Sequence, residues 1–252
     1  MKEFFDALYG MKTVERRDLL EKDYHLHRIL AELSQDLWVS ERVVFKGGTC
    51  LIKAYLGYFR FSEDLDFTWA NQEEWNHKTP SAVRKMCSKH ITDFGEHLEE
   101  ICGRLGLNFK SGKDDKTAME IGGGGRMVRY YPSFTSQMNN LSVRLKVEVN
   151  FLEKMLYPVK RLPLKTYLAE LPEKDAEVLS FRYPADYKAY TRKVRFNCYN
   201  PKEIYAEKCR ATLTRQAFKL RDYVDILALE DAYGYSIPKN SDEIAEKTRP
   251  LA

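Results

Sequence analysis

The sequence predicts an α+β (mixed α/β) fold, in which a mixed β-sheet is flanked by helices and followed by a helical C-terminal region. Apolar residues at helical spacing over 15–38 and 82–105 predict two long amphipathic helices. Residues 43–45 and 141–151 are the clearest strands, the first continuously apolar and the second alternating. From Pro201 onward the pattern is helical again, and proline suits the start of a helix. Helices and strands therefore interleave along the chain.

Turn and breaker residues predict the segments between these elements. Gly106 is the expected end of the second long helix. Residues 107–152 hold short β-rich runs, and the glycines of 122–125 are expected to connect a hairpin, because they lack the Lys-Ser/Thr ending and the following helix of a phosphate loop. Residues 157–200, rich in Pro, Tyr and Lys, are predicted to form an irregular or short-strand connection.

Length and composition predict a full hydrophobic core. The chain has 252 residues, of which 44% are hydrophobic, enough for one large domain or for a catalytic lobe with a helical companion. Its first residues lack an apolar run of signal-peptide length, so we expect a cytoplasmic protein without a membrane partner. The five cysteines are widely spaced and form no CxxC, a pattern that favours neither a disulfide framework nor a zinc site.

A turn suited to anions follows the first predicted strand. Its residues are Lys46, Gly47, Gly48 and Thr49. The glycines allow the backbone to turn tightly, and Thr49 is expected to cap a helix that begins near Cys50. The first amide N–H groups of that helix have no intrahelical partner, so an anion is their natural ligand.

Two carboxylates follow on the next predicted strand. Asp64 and Asp66 stand at positions i and i+2, which places them on one face about 6.5–7 Å apart. Hard cations such as Mg²⁺ use such pairs together with substrate phosphates. A two-metal site needs a third carboxylate, and Glu148 is the candidate, because the alternation over 141–151 places it with Lys146 on a polar face. The alternative is a half-exposed strand with ordinary surface charges.

Charge is distributed unevenly along the chain. The net charge is +4, but residues 144–221 hold 18 basic and 9 acidic residues, a local charge of +9. A basic segment beside a carboxylate site favours a polyanionic substrate such as nucleic acid, although a solvated surface is the commoner fate of scattered Lys and Arg. The five histidines lie outside any HExxH pattern, so a zinc enzyme is not expected.

The motifs, taken in order, resemble those of the AbiEii-type nucleotidyltransferase toxin family, part of the polymerase-beta-like nucleotidyltransferase superfamily. The resemblance covers most of the chain and rests on Glu21-Lys22-Asp23-Tyr24, Phe45-Lys46-Gly47-Gly48-Thr49, Arg60-Phe61-Ser62-Glu63-Asp64-Leu65-Asp66, Lys146-Val147-Glu148, residues 201–208 and residues 221–225. It implies a polymerase-beta-like core with N-terminal helices over residues 1–155. A connecting segment and a helical C-terminal region, residues 156–252, would complete the active site.

The resemblance also implies roles for single residues. The implied catalytic residues are Asp64, Asp66, Glu148 and Asp222, the first three as metal ligands. The implied nucleotide-binding residues are Lys46, Gly47, Gly48, Thr49, Ser62, Lys146 and Lys208. Asp225 is expected to be a structural ion-pair or capping partner, whereas Arg60 and Ser62 either contact phosphate or hold their loop. The family more often has Asp where this chain has Glu148.

The activity that the resemblance implies is transfer of a nucleoside monophosphate from an NTP to an acceptor hydroxyl, with Mg²⁺ or Mn²⁺ as cofactor. RNA, especially the 3′ end of tRNA, is the expected acceptor, and a cognate antitoxin would restrain the toxin in a toxin–antitoxin or phage-defence system. Two alternatives stay open. One is a small-molecule transferase acting on an antibiotic, and the other is a weakly active relative that binds a nucleotide or a partner.

Overall fold

The computed structural model describes residues 1–11, 16–215 and 218–249. Ten helices are described, and they are α1 (Lys2–Met11), α2 (Arg17–Gln35), α3 (Leu37–Arg42), α4 (Gly47–Cys50), α5 (Pro80–Leu105), α6 (Glu173–Arg182), α7 (Pro184–Tyr190), α8 (Pro201–Thr214), α9 (Leu220–Tyr233) and α10 (Ser241–Thr248). A π-helical stretch, Leu51–Leu56, continues α4 directly. None of the described helices is long and apolar enough to cross a membrane.

Nine strands lie within the described ranges. They are β1 (Val43–Lys46), β2 (Asp64–Trp69), β3 (Met119–Gly122), β4 (Met127–Tyr130), β5 (Ser133–Thr135), β6 (Ser142–Arg144), β7 (Lys146–Asn150), β8 (Lys160–Leu164) and β9 (Val194–Cys198). Seven of them form one sheet in the order β3-β4-β7-β2-β1-β9-β8, and β5 pairs with β6 in a small second sheet. The large sheet is mixed, because β2 runs parallel to β7 and β1 parallel to β9 while the other pairs are antiparallel.

The hydrophobic core lies on one face of this sheet. Alternate residues of the central strands are fully buried there, and they include Phe45, Leu65, Phe67, Val147 and Val149. Helices α2 and α5 cover that face with their apolar stripes, since most of their buried apolar residues belong to the same cluster. Because side chains alternate along a strand, the intervening residues of β2 and β7 point to the other face, which is polar.

The predicted mixed sheet, flanking helices and helical C-terminal region are confirmed, and so are several details. The second long helix ends at Gly106, which adopts a left-handed conformation with φ of 70°. The glycines at 122–125 join the antiparallel strands β3 and β4, as predicted. The first long helix begins at Arg17, and the predicted start at Glu15 lies outside the described residues.

The prediction for residues 157–200 is wrong in large part. This segment contains α6 and α7, and its strand β9 lies inside the main sheet between β1 and β8. The short lengths of these elements and their interspersed charges hide the periodicity on which the prediction depends. The division after residue 155 stays a prediction, although the sheet itself takes strands from both sides of that position.

Candidate active site

The glycine turn lies at the end of β1, where two close approaches leave no room for side chains. Gly47 has φ of +75°, and a Cβ atom there would lie 2.4 Å from Oδ2 of Asp66. A Cβ atom on Gly48 would lie 2.5 Å from the Arg60 guanidinium and 3.2 Å from Oγ of Ser62. The glycines are therefore needed because the backbone passes directly beside polar groups of β2 and of the segment before it.

Thr49 does not cap the helix as predicted. Helix α4 begins at Gly47, and the residue before it, Lys46, provides no side-chain cap. Thr49 is buried, and its hydroxyl donates a hydrogen bond to the backbone carbonyl of Asp64. This side chain therefore fixes the start of β2 against the turn, and its contact with a nucleotide stays a prediction.

The three predicted metal ligands lie on neighbouring parallel strands. Asp66 pairs in register with Glu148, and Asp64 pairs with Lys146. All four side chains line one cavity of about 330 Å³. The alternation predicted for residues 141–151 is thus correct on β7, where Val147 is buried between them.

Asp66 stands out because its carboxylate has neither a hydrogen-bond donor nor an ion-pair partner among the residues that the structure describes. Burial, working against the attraction of Lys146, raises its pKa to about 6. A carboxylate held in a cavity without a partner is costly unless a ligand compensates it. Such an arrangement suits a cationic ligand, and a cation at Asp66 stays a prediction.

Lys146 lies between the other two carboxylates. Its ammonium is 3.0 Å from Oδ2 of Asp64 and 3.7 Å from Oε2 of Glu148. Burial disfavours its charge, but Asp66, Asp64 and Glu148 together raise its pKa above the ordinary value. Glu148 also accepts a 2.8 Å hydrogen bond from Arg129. Within the described ranges, no three His, Cys, Asp or Glu side chains converge on a point that would hold a metal ion.

The residues nevertheless fit a divalent cation. Asp64 and Asp66 offer hard oxygen ligands on one face of β2, and the half-buried Asp66 has no hydrogen bond or ion pair among the described residues. These two would hold the ion, with Glu148 beside them as the third acidic group. Asp64 and Glu148 already contact cationic side chains. Binding of a metal ion to these carboxylates would require Lys146 to move away from them.

Lys46 is buried, unlike a lysine that binds phosphate at the protein surface. Its ammonium lies 2.9 Å from Glu153 and 3.2 Å from Glu207, and all three residues line the cavity. Burial works against the charge, yet Glu207 and Glu153 hold the pKa of Lys46 well above its usual range. Lys247 of α10 extends the network, with its ammonium 2.6 Å from Glu203 and 3.6 Å from Glu207.

Lys208 and Asp222 meet on the helical side of the cavity. The Lys208 ammonium lies 2.6 Å from Asp222 and 2.8 Å from Asp225, and Asp222 also binds Arg215 at 2.6 Å. Burial opposes ionisation of Asp222, but Lys208 and Arg215 keep its pKa below the ordinary value. Asp225 is fully buried and binds Arg60, so it is the structural ion-pair partner that was expected.

The structure therefore brings together ten of the eleven predicted site residues, all except Thr49, around the one cavity. Sequence reasoning missed two acids that line the cavity, the buried Glu153 and the half-buried Glu207, and assigned no role at the site to several cations. These cations are Arg129, Arg210, Arg215, Lys219 and Arg221. Four of the five fall in the basic segment 144–221, which was the available signal, but charge counts do not indicate the face on which a side chain lies.

A family model and two solved structures are similar to this chain. A family model described as "Nucleotidyl transferase AbiEii toxin, Type IV TA system" matches residues 28–249. No curated protein sequence matches the chain. The crystal structure of JHP933 from Helicobacter pylori is similar with a TM-score of 0.49 and 16% identity, over 92% of this chain and 79% of that one. A candidate nucleotidyltransferase from H. pylori has a TM-score of 0.47 and 17% identity, over 92% and 81% of the two chains. Because the family model covers most of its length, this chain belongs to the AbiEii nucleotidyltransferase toxin family.

Proposed function

We propose that this nucleotidyltransferase toxin moves a nucleoside monophosphate from an NTP to a hydroxyl of RNA, at the 3′ end of tRNA, with the help of Mg²⁺ or Mn²⁺. One observation carries the proposal. The cavity that holds the unpartnered Asp66 is lined by nine Lys and Arg side chains and six carboxylates. Such a site suits a polyanion that arrives with a divalent cation, and an NTP is a polyanion of this kind.

The chain's own residues supply positioning and charge for this reaction. Gly47 and Gly48 are the first residues of α4, where amide N–H groups lack an intrahelical acceptor and a phosphate oxygen would accept their hydrogen bonds. Lys146 on β7 and Lys208 on α8 both line the cavity and would neutralise charge on the triphosphate and on the leaving pyrophosphate. A divalent cation bound to Asp64 and Asp66 would supply Lewis-acid stabilisation of the attacking and leaving oxygens. The acceptor hydroxyl oxygen attacks the α-phosphorus, the bond from this phosphorus to the leaving pyrophosphate breaks, and the hydroxyl proton is released to water.

The charge of the cavity favours RNA over a cationic antibiotic as acceptor. An aminoglycoside carries several positive charges, so its binding site is expected to be acidic. Here the cations outnumber the carboxylates, and Lys219 and Arg221 stand on its rim. RNA phosphates would be attracted by such a surface, and their binding would weaken as salt increases.

The remaining alternative is a protein with little activity, in which Glu148 replaces the more usual Asp. Glu148 is bound to Arg129 and lies near Lys146, so its longer side chain is held inside the cavity. That position supports participation in the site and gives no reason to expect inactivity. Since the proposed substrates are NTP and tRNA, we also propose the cytoplasm as its place of action, with a cognate antitoxin restraining it.

The test is incorporation of label into RNA. Purified protein is incubated with each of the four α-labelled NTPs, Mg²⁺ or Mn²⁺ and total RNA, and a parallel reaction contains aminoglycosides in place of RNA. We expect label from at least one NTP in a band of tRNA length, dependent on the metal ion. Label on the aminoglycoside alone would select the small-molecule alternative, and absence of label from both reactions would contradict transferase activity towards either.

A further inference from the structure

A second, smaller cavity adjoins the catalytic one on its helical side. Its volume is about 220 Å³, which is the size range of a single nucleobase with room for water. Four of its lining residues also line the catalytic cavity, so the two spaces share a wall. The shared residues are Ala211, Arg215, Lys219 and Asp222, and the small cavity adds Thr212, Phe218 and Tyr223.

Two aromatic rings form one side of this small cavity. The rings of Phe218 and Tyr223 are stacked, with centroids 4.8 Å apart and an interplanar angle of 26°. Phe218 is 72% exposed and Tyr223 is 40% exposed, so neither ring belongs to the hydrophobic core. Water-exposed stacked rings beside a polar active site are well suited to extend the stack with a planar ligand, because every nucleobase offers a π face.

Cations stand next to the aromatic pair. Lys219, the residue after Phe218, has no ion-pair partner among the described residues. Its burial and the nearby charges of Arg215 and Arg221 lower its pKa, so positive charges crowd together here. Arg215 is held by Asp222 at 2.6 Å, which fixes its guanidinium at the wall shared by the two cavities. A planar apolar platform beside a cluster of cations matches a nucleotide, with its base on the rings and its phosphate at Lys219.

We propose that the Phe218–Tyr223 pair is a nucleobase-stacking subsite that orients a nucleotide towards the catalytic cavity. This inference rests on the proposed function, because it assigns the base of one of the two substrates to that site. The base belongs to the incoming NTP or to the terminal nucleotide of the RNA acceptor. Both sources share the same chemistry, and a binding experiment with separate arms distinguishes them.

The experiment measures the fluorescence of 2-aminopurine, which is quenched when the base stacks on an aromatic ring. One arm uses 2-aminopurine ribonucleoside triphosphate with Mg²⁺ and no RNA. The other uses an RNA hairpin with an unpaired 3′ end whose last base is 2-aminopurine, and no NTP, so that transfer does not occur in either arm. The variants are Phe218→Leu, Tyr223→Leu and their combination, with Tyr223→Phe as the conservative variant and Leu227→Ala, exposed on the same helix, as control.

We expect one probe to be quenched by the wild-type protein, and the double leucine variant to lose the quenching and about 10- to 100-fold in affinity for that probe. Tyr223→Phe and Leu227→Ala should bind within about twofold of wild type, since the aromatic faces remain. Unaltered melting temperatures are expected for all variants, because the side chains are exposed.

The outcomes separate this inference from the proposed function. If the double variant binds both probes like wild type while RNA labelling proceeds normally, the stacking subsite is overturned and the transferase stands. If quenching is lost in the variant but no RNA labelling occurs with wild type, the subsite stands and the proposed acceptor is wrong. If neither probe is quenched by wild type, the subsite is overturned whatever the labelling result.

Discussion

The guanidinium of Arg60 binds the carboxylate of Asp225 through two hydrogen bonds of 2.7 Å, although the two residues are 165 positions apart in the chain. Asp225 is fully buried and lies 2.8 Å from Lys208 as well. The segment that precedes β2 is thereby joined to α8 and α9. The carboxylates on the sheet and Lys208 on the helical side consequently line the same cavity.

The first prediction concerns this buried pair. Asp225→Ala leaves Arg60 and Lys208 without their common carboxylate, and breaking a buried ion pair costs about 3–5 kcal/mol of unfolding free energy. Urea unfolding measures the loss. Asp231→Ala, an exposed carboxylate on the same helix, is the matched control and should change stability by less than about 0.5 kcal/mol. A similar small effect for Asp225→Ala would mean that the network does not hold the helices to the sheet.

The second prediction uses two glycines with opposite surroundings. A methyl group on Gly48 would collide with Arg60 and press on Ser62, so Gly48→Ala should destabilise the protein by about 1–3 kcal/mol. Gly103 lies inside α5 with no atom within 4 Å of an added Cβ, so Gly103→Ala should stabilise it by about 0.5–1 kcal/mol through helix propensity. Thermal and urea unfolding of both variants give the comparison. Equal effects of the same sign would refute the close-approach explanation.

The third prediction concerns acid stability. Burial lowers the pKa of His25 from 6.5 to about 3. Between these two pH values the unfolded chain binds a proton at His25, whereas the folded chain does not. Stability that is present above pH 6.5 is therefore lost as the pH falls towards 3. At pH 5 the loss from this residue is about 2 kcal/mol. His25 packs against Phe134 with ring centroids 4.0 Å apart, so His25→Phe keeps the contact and removes the titration.

Unfolding free energies at pH 7.5 and pH 5 provide the measurement. The wild type should lose about 2 kcal/mol more than His25→Phe over this interval. The exposed His77 serves as control, and His77→Asn should leave the wild-type pH dependence unchanged, since asparagine tolerates its φ of 59°. An identical pH dependence for wild type and His25→Phe would contradict the account.

The sequence could predict the features that depend on residues close together in the chain, but not those that depend on tertiary packing. Asp64, Asp66 and Glu148 were found because strand alternation fixes the face of each residue, and the register of β2 with β7 then places them side by side. The role of Thr49 was missed, since its bond to the Asp64 carbonyl depends on how β2 returns beside the turn. Glu207 was not predicted for a similar reason, because it reaches Lys46 only when α8 packs against the sheet. Strand β9 is short, and its place beside β1 is a property of the whole sheet.

The most direct test of the central claim is the rate of nucleotide transfer to RNA by Asp66→Asn. The wild-type carboxylate is half-buried, has no described partner and has a raised pKa, so its neutral isostere should fold at least as well, and a loss of activity reports on cation binding. Glu63→Gln, which lies outside the cavity, is the matched control and should keep wild-type activity. We predict that Asp66→Asn lowers the metal-dependent transfer rate by about 100-fold or more. Transfer within a few-fold of wild type would contradict the assignment of this cavity as the active site.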